Sequence, residues 1–179
     1  MRKFSFSRGR IAALSLALAS LSAVALPGPA SAAPRSDEGS CTVVLSKDRD
    51  PQGDSKVLAK ACSTVSAADA HAKATAAATR ARGGFAPADL ILLQEYTDAD
   101  YKTLSYTFVA ADPCDSSGYT LTNYYQVGQY VSSMRGSNGC ARAVFTDYAD
   151  WTDHVIHALP INYLGEYWND NVNKVHFFN

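Results

Sequence analysis

Four cysteines, Cys41, Cys62, Cys114 and Cys140, are the residues whose chemistry is easiest to read. An even number of thiols in an exported chain points to two disulfides, and four cysteines allow three pairings. Local pairing, Cys41 with Cys62 and Cys114 with Cys140, would close two short loops. Each closure would contribute about 3 kcal/mol, mainly by restricting the unfolded chain. Zinc is the competing use, but the chain has no C-x-x-C pair and no histidine close to any cysteine, the spacings a zinc site draws on. His154 and His157 beside Asp153 form the most suggestive acid–base or metal group. On a helix they would share a face, but this stretch reads as a strand or bent hairpin, which sends them to opposite faces. His176 reads as a surface strand residue and His71 as solvent-exposed. No serine lies in a G-x-S-x-G elbow, and no phosphate-cradling glycine loop or dinucleotide fingerprint is present. Glu95 and Glu166 are the only glutamates of the aromatic region, and with Asp98, Asp100, Asp147 and Asp150 they show no spacing that singles out an acid/base pair. The aspartates read as turn formers. The chain is therefore expected not to be an enzyme.

The elements that must hold these residues begin with an export signal. Arg2, Lys3, Arg8 and Arg10 precede an apolar run from Ile11 to Leu26, which closes with Pro27-Gly28-Pro29 and Ala30-Ser31-Ala32. Charged, apolar and A-x-A regions in that order are a secretory signal, with cleavage expected after Ala32 or Ala33. The run falls short of the roughly 20 apolar residues of a membrane helix. No cysteine follows the cleavage site to take a lipid. Removing the signal takes away four cations and no anions, which lowers the formal net charge from −1 to −5. Nucleic acid and anionic membrane are thereby poor partners, since both reward clustered Lys and Arg. The expectation is a secreted, monomeric binding protein.

Three regions follow: a signal at 1–32, an extension at 33–89, and a β domain at 90–179. In the extension, Thr42-Val43-Val44-Leu45 reads as a strand and Asp50-Pro51-Gln52-Gly53-Asp54 as a turn. Ser66 to Arg82 reads as a helix with Ser66 as cap, Asp69 in the first turn and Gly83-Gly84 as stop. Its alanines offer almost no large apolar face, so it reads as an exposed helix or a linker. All ten tyrosines and both tryptophans lie between Tyr96 and Trp168, which puts the β-rich core there. The tyrosines, Tyr124-Tyr125 included, read as core and cross-strand residues before a sugar-stacking platform. Leu90-Ile91-Leu92-Leu93 reads as a buried strand, and Leu104 to Val109 alternates apolar with polar. The region also repeats itself. Tyr96-Thr97-Asp98-Ala99-Asp100-Tyr101 recurs as Phe145-Thr146-Asp147-Tyr148-Ala149-Asp150-Trp151, and Val127-Gly128-Gln129-Tyr130 as Leu164-Gly165-Glu166-Tyr167. Two units of several short strands, each with a longer return connection, fit a Greek key pattern.

The second unit resembles the βγ-crystallin family. Cys140-Ala141-Arg142-Ala143-Val144-Phe145-Thr146-Asp147 is similar to the family's first strand, with Phe145 and Trp151 at the aromatic corner. Leu164-Gly165-Glu166-Tyr167-Trp168-Asn169-Asp170-Asn171-Val172 is similar to its closing segment. The resemblance covers about Leu90 to Phe178 and implies a mainly β fold, two tandem Greek keys packed as a βγ-crystallin-like sandwich, with the disulfide-closed extension and its Ala-rich helix added in front. Where family hairpins carry glycine for a positive φ, this chain has Lys102-Thr103 and Thr152-Asp153. No cofactor is expected; calcium is the one ion the resemblance introduces, through Asn169, Asp170 and Asn173. The family's site wants hydroxyls where Asn173 and Lys174 stand, and the first unit keeps Ser132 and Ser133 without an acidic pair. Calcium takes six to eight oxygens, so weak or absent binding is expected and Asn169-Asp170-Asn171 reads as a turn. Exported bacterial members of the family include small metalloproteinase inhibitors and killer-toxin-like proteins. The resemblance therefore implies a partner that is an extracellular protein, a peptidase foremost, met by a loop at Asp112, Pro113, Asp115 and Ser116 pinned by Cys114. An antimicrobial toxin and a structural or stress-related envelope protein are the alternatives.

Overall fold

The structure is a computed structural model and describes residues 39–83, 90–122, 130–149, 151–152 and 155–179. The signal at 1–32, Tyr124, Tyr125, Asp150, Asp153 and His154 lie outside the described residues. The protein is mainly β, with two sheets and two disulfides.

Chain order begins with a hairpin, β1 (Ser40–Arg49) and β2 (Ser55–Ser63). The turn predicted at Asp50–Asp54 closes it, since the Asp50 carboxylate accepts the Gln52 and Asp54 amides at 2.9 Å each. Helix α1 (Ala67–Ala81) follows, started by the Ser66 hydroxyl, which accepts the Asp69 amide at 3.1 Å. β3 (Leu90–Tyr96) and β4 (Leu104–Ala110) pair antiparallel across a short 3₁₀ turn at Ala99–Tyr101. That turn runs through Asp100 (φ 58), Tyr101 (φ 60) and Thr103 (φ 50), so the hairpin reaches left-handed backbone without glycine. β5 (Tyr119–Thr122), β6 (Ser133–Gly136), β7 (Arg142–Thr146), β8 (His157–Ala158), the short helix α2 (Gly165–Trp168) and β9 (Lys174–Phe178) complete the chain.

The first sheet has the order β2-β1-β4-β3-β6 and the second β5-β9-β7-β8. β5 leaves its neighbours in sequence and joins β9 in the second sheet. In return, Ile161 leaves the second unit and bridges Met134 on β6 in the first. Residues before and after Cys140 thus contribute backbone pairing to both sheets. β4, read as alternating from Leu104 to Val109, is instead buried on both faces from Tyr106 to Ala110, with α1 over its outer side; alternation runs through the second sheet, where Tyr119 and Leu121, Ala143 and Phe145, Val175 and Phe177 point inward. They pack against Val43, Leu45, Leu93, Tyr106 and Phe108 of the first sheet in one core.

Two features of residues 39–83 were not legible beforehand. β1 pairs in parallel with β4, Cys41 opposite Tyr106 through Leu45 opposite Ala110, so the hairpin extends the first sheet instead of trailing from it. Helix α1 is neither exposed nor a linker. Ala70, Ala74 and Ala78 repeat at every fourth position and are fully buried; Ala74 and Ala78 pack with Val44 and Val109 on the outer face of that sheet. A methyl stripe lets a helix approach a sheet closely, and burial, not side-chain size, decides its contribution.

Candidate functional site

The disulfides have the local pairing, Cys41–Cys62 and Cys114–Cys140. The first links residues directly opposite each other in the β1–β2 register. The second anchors the loop between β4 and β5, residues 111–118. There Asp112, Pro113, Asp115, Ser116 and Ser117 are exposed around a buried Cys114.

The loop is fastened at almost every residue. Tyr119, the first residue of β5, sends its hydroxyl back to the Asp112 carbonyl at 2.7 Å, and burial pushes its pKa up to about 12, which keeps it a donor. The Cys114 amide donates to Asn138 O at 3.0 Å, and the Asn179 amide to Asp115 O at 3.1 Å. One Asp115 carboxylate oxygen accepts the Ser117 amide (2.9 Å), the Ser117 hydroxyl (2.6 Å) and the Gly118 amide (3.1 Å). Its other oxygen pairs with Lys47 on β1. Lys47 first, then Ser117, hold the Asp115 carboxyl well below the usual carboxylate range. From the same strand, one Arg49 nitrogen donates to both Ser117 O and Gly118 O at 2.9 Å. Gly118 has φ 53, and a Cβ there would lie 2.3 Å from Phe177 O, so only glycine closes this corner. The structure thus brings Asp112, Pro113, Asp115 and Ser116 onto one braced projection. Lys47 and Arg49, which brace it from the extension, carried no sequence signal, because their role depends on the non-local β1–β4 pairing.

The calcium candidates lie after α2. The Asn169 side-chain amide donates to Asp170 Oδ2 at 2.9 Å, and Asp170 adopts φ 58 as a turn residue. Asn173 donates its backbone amide to Thr146 O at 2.8 Å. In the first unit, the Ser132 and Ser133 hydroxyls donate to the carbonyls of Thr97 (2.8 Å) and Asp98 (2.7 Å). Among the described residues no three His, Cys, Asp or Glu side chains gather around a common point. His157 sits on β8 with its ring against Phe145, centroids 4.8 Å apart. His176 is half-buried on β9 with Nδ1 2.9 Å from Thr120 Oγ1, and burial first, then Arg49, lowers its pKa.

Glu95, weighed in the sequence only for acid/base spacing, is buried. Glu95 is 1% exposed, and its Oε2 has no hydrogen-bond partner. Burial drives its carboxyl pKa well above the usual range. Its cross-strand neighbours are Tyr106 and Met134. The signal was available: β3 continues past Leu93 to Tyr96, and period two carries Glu95 to the same side as Leu93.

No family model, no curated protein and no solved structure matches this chain.

Proposed function

We propose that the chain is a secreted, non-catalytic binding protein that engages an extracellular protein, a peptidase foremost, through the loop at residues 112–118. The carrying observation is the bracing of that loop: a disulfide, a salt bridge, the Asp115 caps and the paired Arg49 bonds hold five exposed residues in one conformation. A loop already fixed in its bound shape loses little entropy on association, which is how small inhibitors reach high affinity. Secretion is supported by the charged, apolar and A-x-A order of the N-terminus and by the two disulfides. None of the helices among the described residues is long and apolar enough to cross a membrane. The reciprocal exchange of β5 and Ile161 between the sheets supports a pair of interlocked Greek keys of the βγ-crystallin kind.

The test is inhibition by residues 33–179 of a panel of secreted metallo- and serine peptidases at micromolar concentration. Inhibition of at least one enzyme is expected, with the inhibition constant weakened about tenfold or more by Pro113→Arg, because a bulky cation in a preformed loop must be accommodated by a matching surface. A panel left wholly untouched, or an unaltered constant in the variant, overturns the reading.

A further inference from the structure

Large apolar side chains are exposed in one stretch out of proportion to the rest. Tyr148, Trp151, Val155, Ile156, Tyr163 and Tyr167 are all exposed, while among the other described residues only Val65 and Tyr130 join them. Within the stretch, Trp151 (48% exposed) and Tyr167 (53%) touch, with ring centroids 5.7 Å apart and nearly perpendicular.

These two rings are held, not loose. Trp151 stacks on Trp168 at 5.7 Å with an 18° interplanar angle, and Trp168 in turn packs on Phe145 in the core at 5.5 Å. Tyr167 stands edge-on to Trp168 at 5.0 Å. Beneath them lies Asp147, only 5% exposed. Its Oδ1 accepts the amides of Ala149 (2.8 Å) and Trp151 (2.9 Å), and its Oδ2 accepts the Tyr167 hydroxyl (2.5 Å). One buried carboxylate therefore fixes the backbone under one exposed ring and the tip of the other. Leaving two large rings half in water forgoes burial that their size would otherwise bring, so the arrangement favours contact with something outside the chain.

Charge indicates what. Residues 143–173 hold five acidic residues and no lysine or arginine, and the remainder of 33–179 is formally balanced. Asp147 is turned inward, and among the described residues of the segment Glu166 and Asp170 are exposed, so the stretch that bears the rings shows acid and no lysine or arginine to solvent. The next cation along the chain, Lys174, is turned to Asp54 at 3.5 Å. An acidic surface repels anionic polymers and lipids and attracts cations, and a guanidinium is the cation that also stacks flat on aromatic rings. Both kinds of cation lie over rings within the chain, Lys47 5.5 Å from Tyr119 and Lys60 5.2 Å from Tyr106 beside Arg142 5.2 Å from Phe178, and the guanidinium of Arg135 comes nearest, 4.0 Å from Tyr101.

We propose that the face built on Trp151 and Tyr167, with Glu166 and Asp170 beside them, is a docking surface for an arginine-bearing segment of an extracellular protein. It is separate from the 112–118 loop. In the β7–β9 and β5–β9 registers the loop joins the Tyr119 and Phe177 end of the second sheet, while the aromatic face follows Thr146 and Lys174 at the other.

The test uses residues 33–179 with labelled nona-arginine, nona-lysine and chitohexaose, read by fluorescence anisotropy at about 0.15 M ionic strength. Nona-arginine is expected to bind more tightly than nona-lysine, and Trp151→Ala to weaken it about threefold to thirtyfold. The double variant Glu166→Gln, Asp170→Asn alters only exposed positions, so the fold is kept, and it must both weaken nona-arginine and flatten its salt dependence. Equal binding of the two cationic peptides, no loss in Trp151→Ala that still unfolds cooperatively in urea, or preference for chitohexaose overturns the proposal. Peptidase inhibition through the loop should be unchanged in all three aromatic-face substitutions, so the two readings stand or fall separately.

Discussion

Replacing Glu95 with glutamine should change the pH dependence of stability in a way no surface substitution can. Glu95 is 1% exposed with Oε2 unpartnered, and burial raises its pKa far above that of an unfolded glutamate. A raised folded-state pKa means that the folded protein holds a proton the unfolded chain releases. Below about pH 4.3, both states are protonated and the residue contributes its full stability. Above that, the unfolded chain ionises first, and stability falls by up to about 1.4 kcal/mol per pH unit until the folded-state pKa is reached. Glutamine is nearly isosteric and cannot ionise, so Glu95→Gln lacks this loss. The variant should therefore gain on the parent as pH rises above about 4.3, by up to about 1.4 kcal/mol per pH unit. Asp69, Asp115 and Asp147 have lowered pKa values and act in the opposite direction, losing their contribution as pH falls through the acid range. They are common to both proteins and cancel in the difference. Urea unfolding of parent and variant from pH 4 to pH 8 measures it. Parallel stability curves would refute the reasoning, since they would mean that Glu95 is ionised in the folded state.

Three further outcomes follow from the packing. Removing the Cys114–Cys140 link by a double alanine substitution should cost about 3 kcal/mol in urea unfolding and raise amide exchange selectively at residues 112–118. Ala74→Leu should cost about 1–3 kcal/mol because that side chain fills a helix–sheet contact with no space left over, whereas Ala76→Leu, on the exposed side of the same helix, should leave the urea midpoint in place. Millimolar calcium should leave the melting temperature unchanged, because Asp170 and Asn169 are hydrogen-bonded to each other and supply few of the oxygens the ion takes.

What was legible in the sequence was local. The Ser66 cap and the Asp50 turn each depend on a few neighbouring residues, and each is present as read; the alternation read in Leu104 to Val109 is not, because helix α1 covers the outer face and Tyr106 to Ala110 are all buried. Cysteine spacing left three pairings open, and the structure has the one with the two shortest loops, which lose least entropy on closing. The parallel β1–β4 pairing joins residues far apart in sequence and leaves no periodic mark on either strand. Hydropathy missed the alanine stripe, because alanine registers as weakly apolar whether or not a sheet covers it. The Leu90–Leu93 run marks only the first half of β3, and the burial of Glu95 depends on Tyr106 and Met134, which flank it from β4 and β6. Trp151 was assigned to a corner of the repeat, and its half-exposure depends on Trp168 and Asp147, which approach it only in the folded chain.

The place of β1 inside the first sheet also governs the order in which the protein is able to assemble. β1 is synthesised first, yet one of its two edges waits for β4, since Cys41 aligns with Tyr106. Until then that edge is a row of unpaired amides and carbonyls, the kind of template on which newly made chains associate with one another. The β1–β2 hairpin covers only the opposite edge, and the Cys41–Cys62 bridge fastens it there. Any delay in making β4 therefore lengthens the time for which one particular strand is open to aggregation, and substitutions that slow the β3–β4 hairpin should lower the yield of folded protein before they lower its stability.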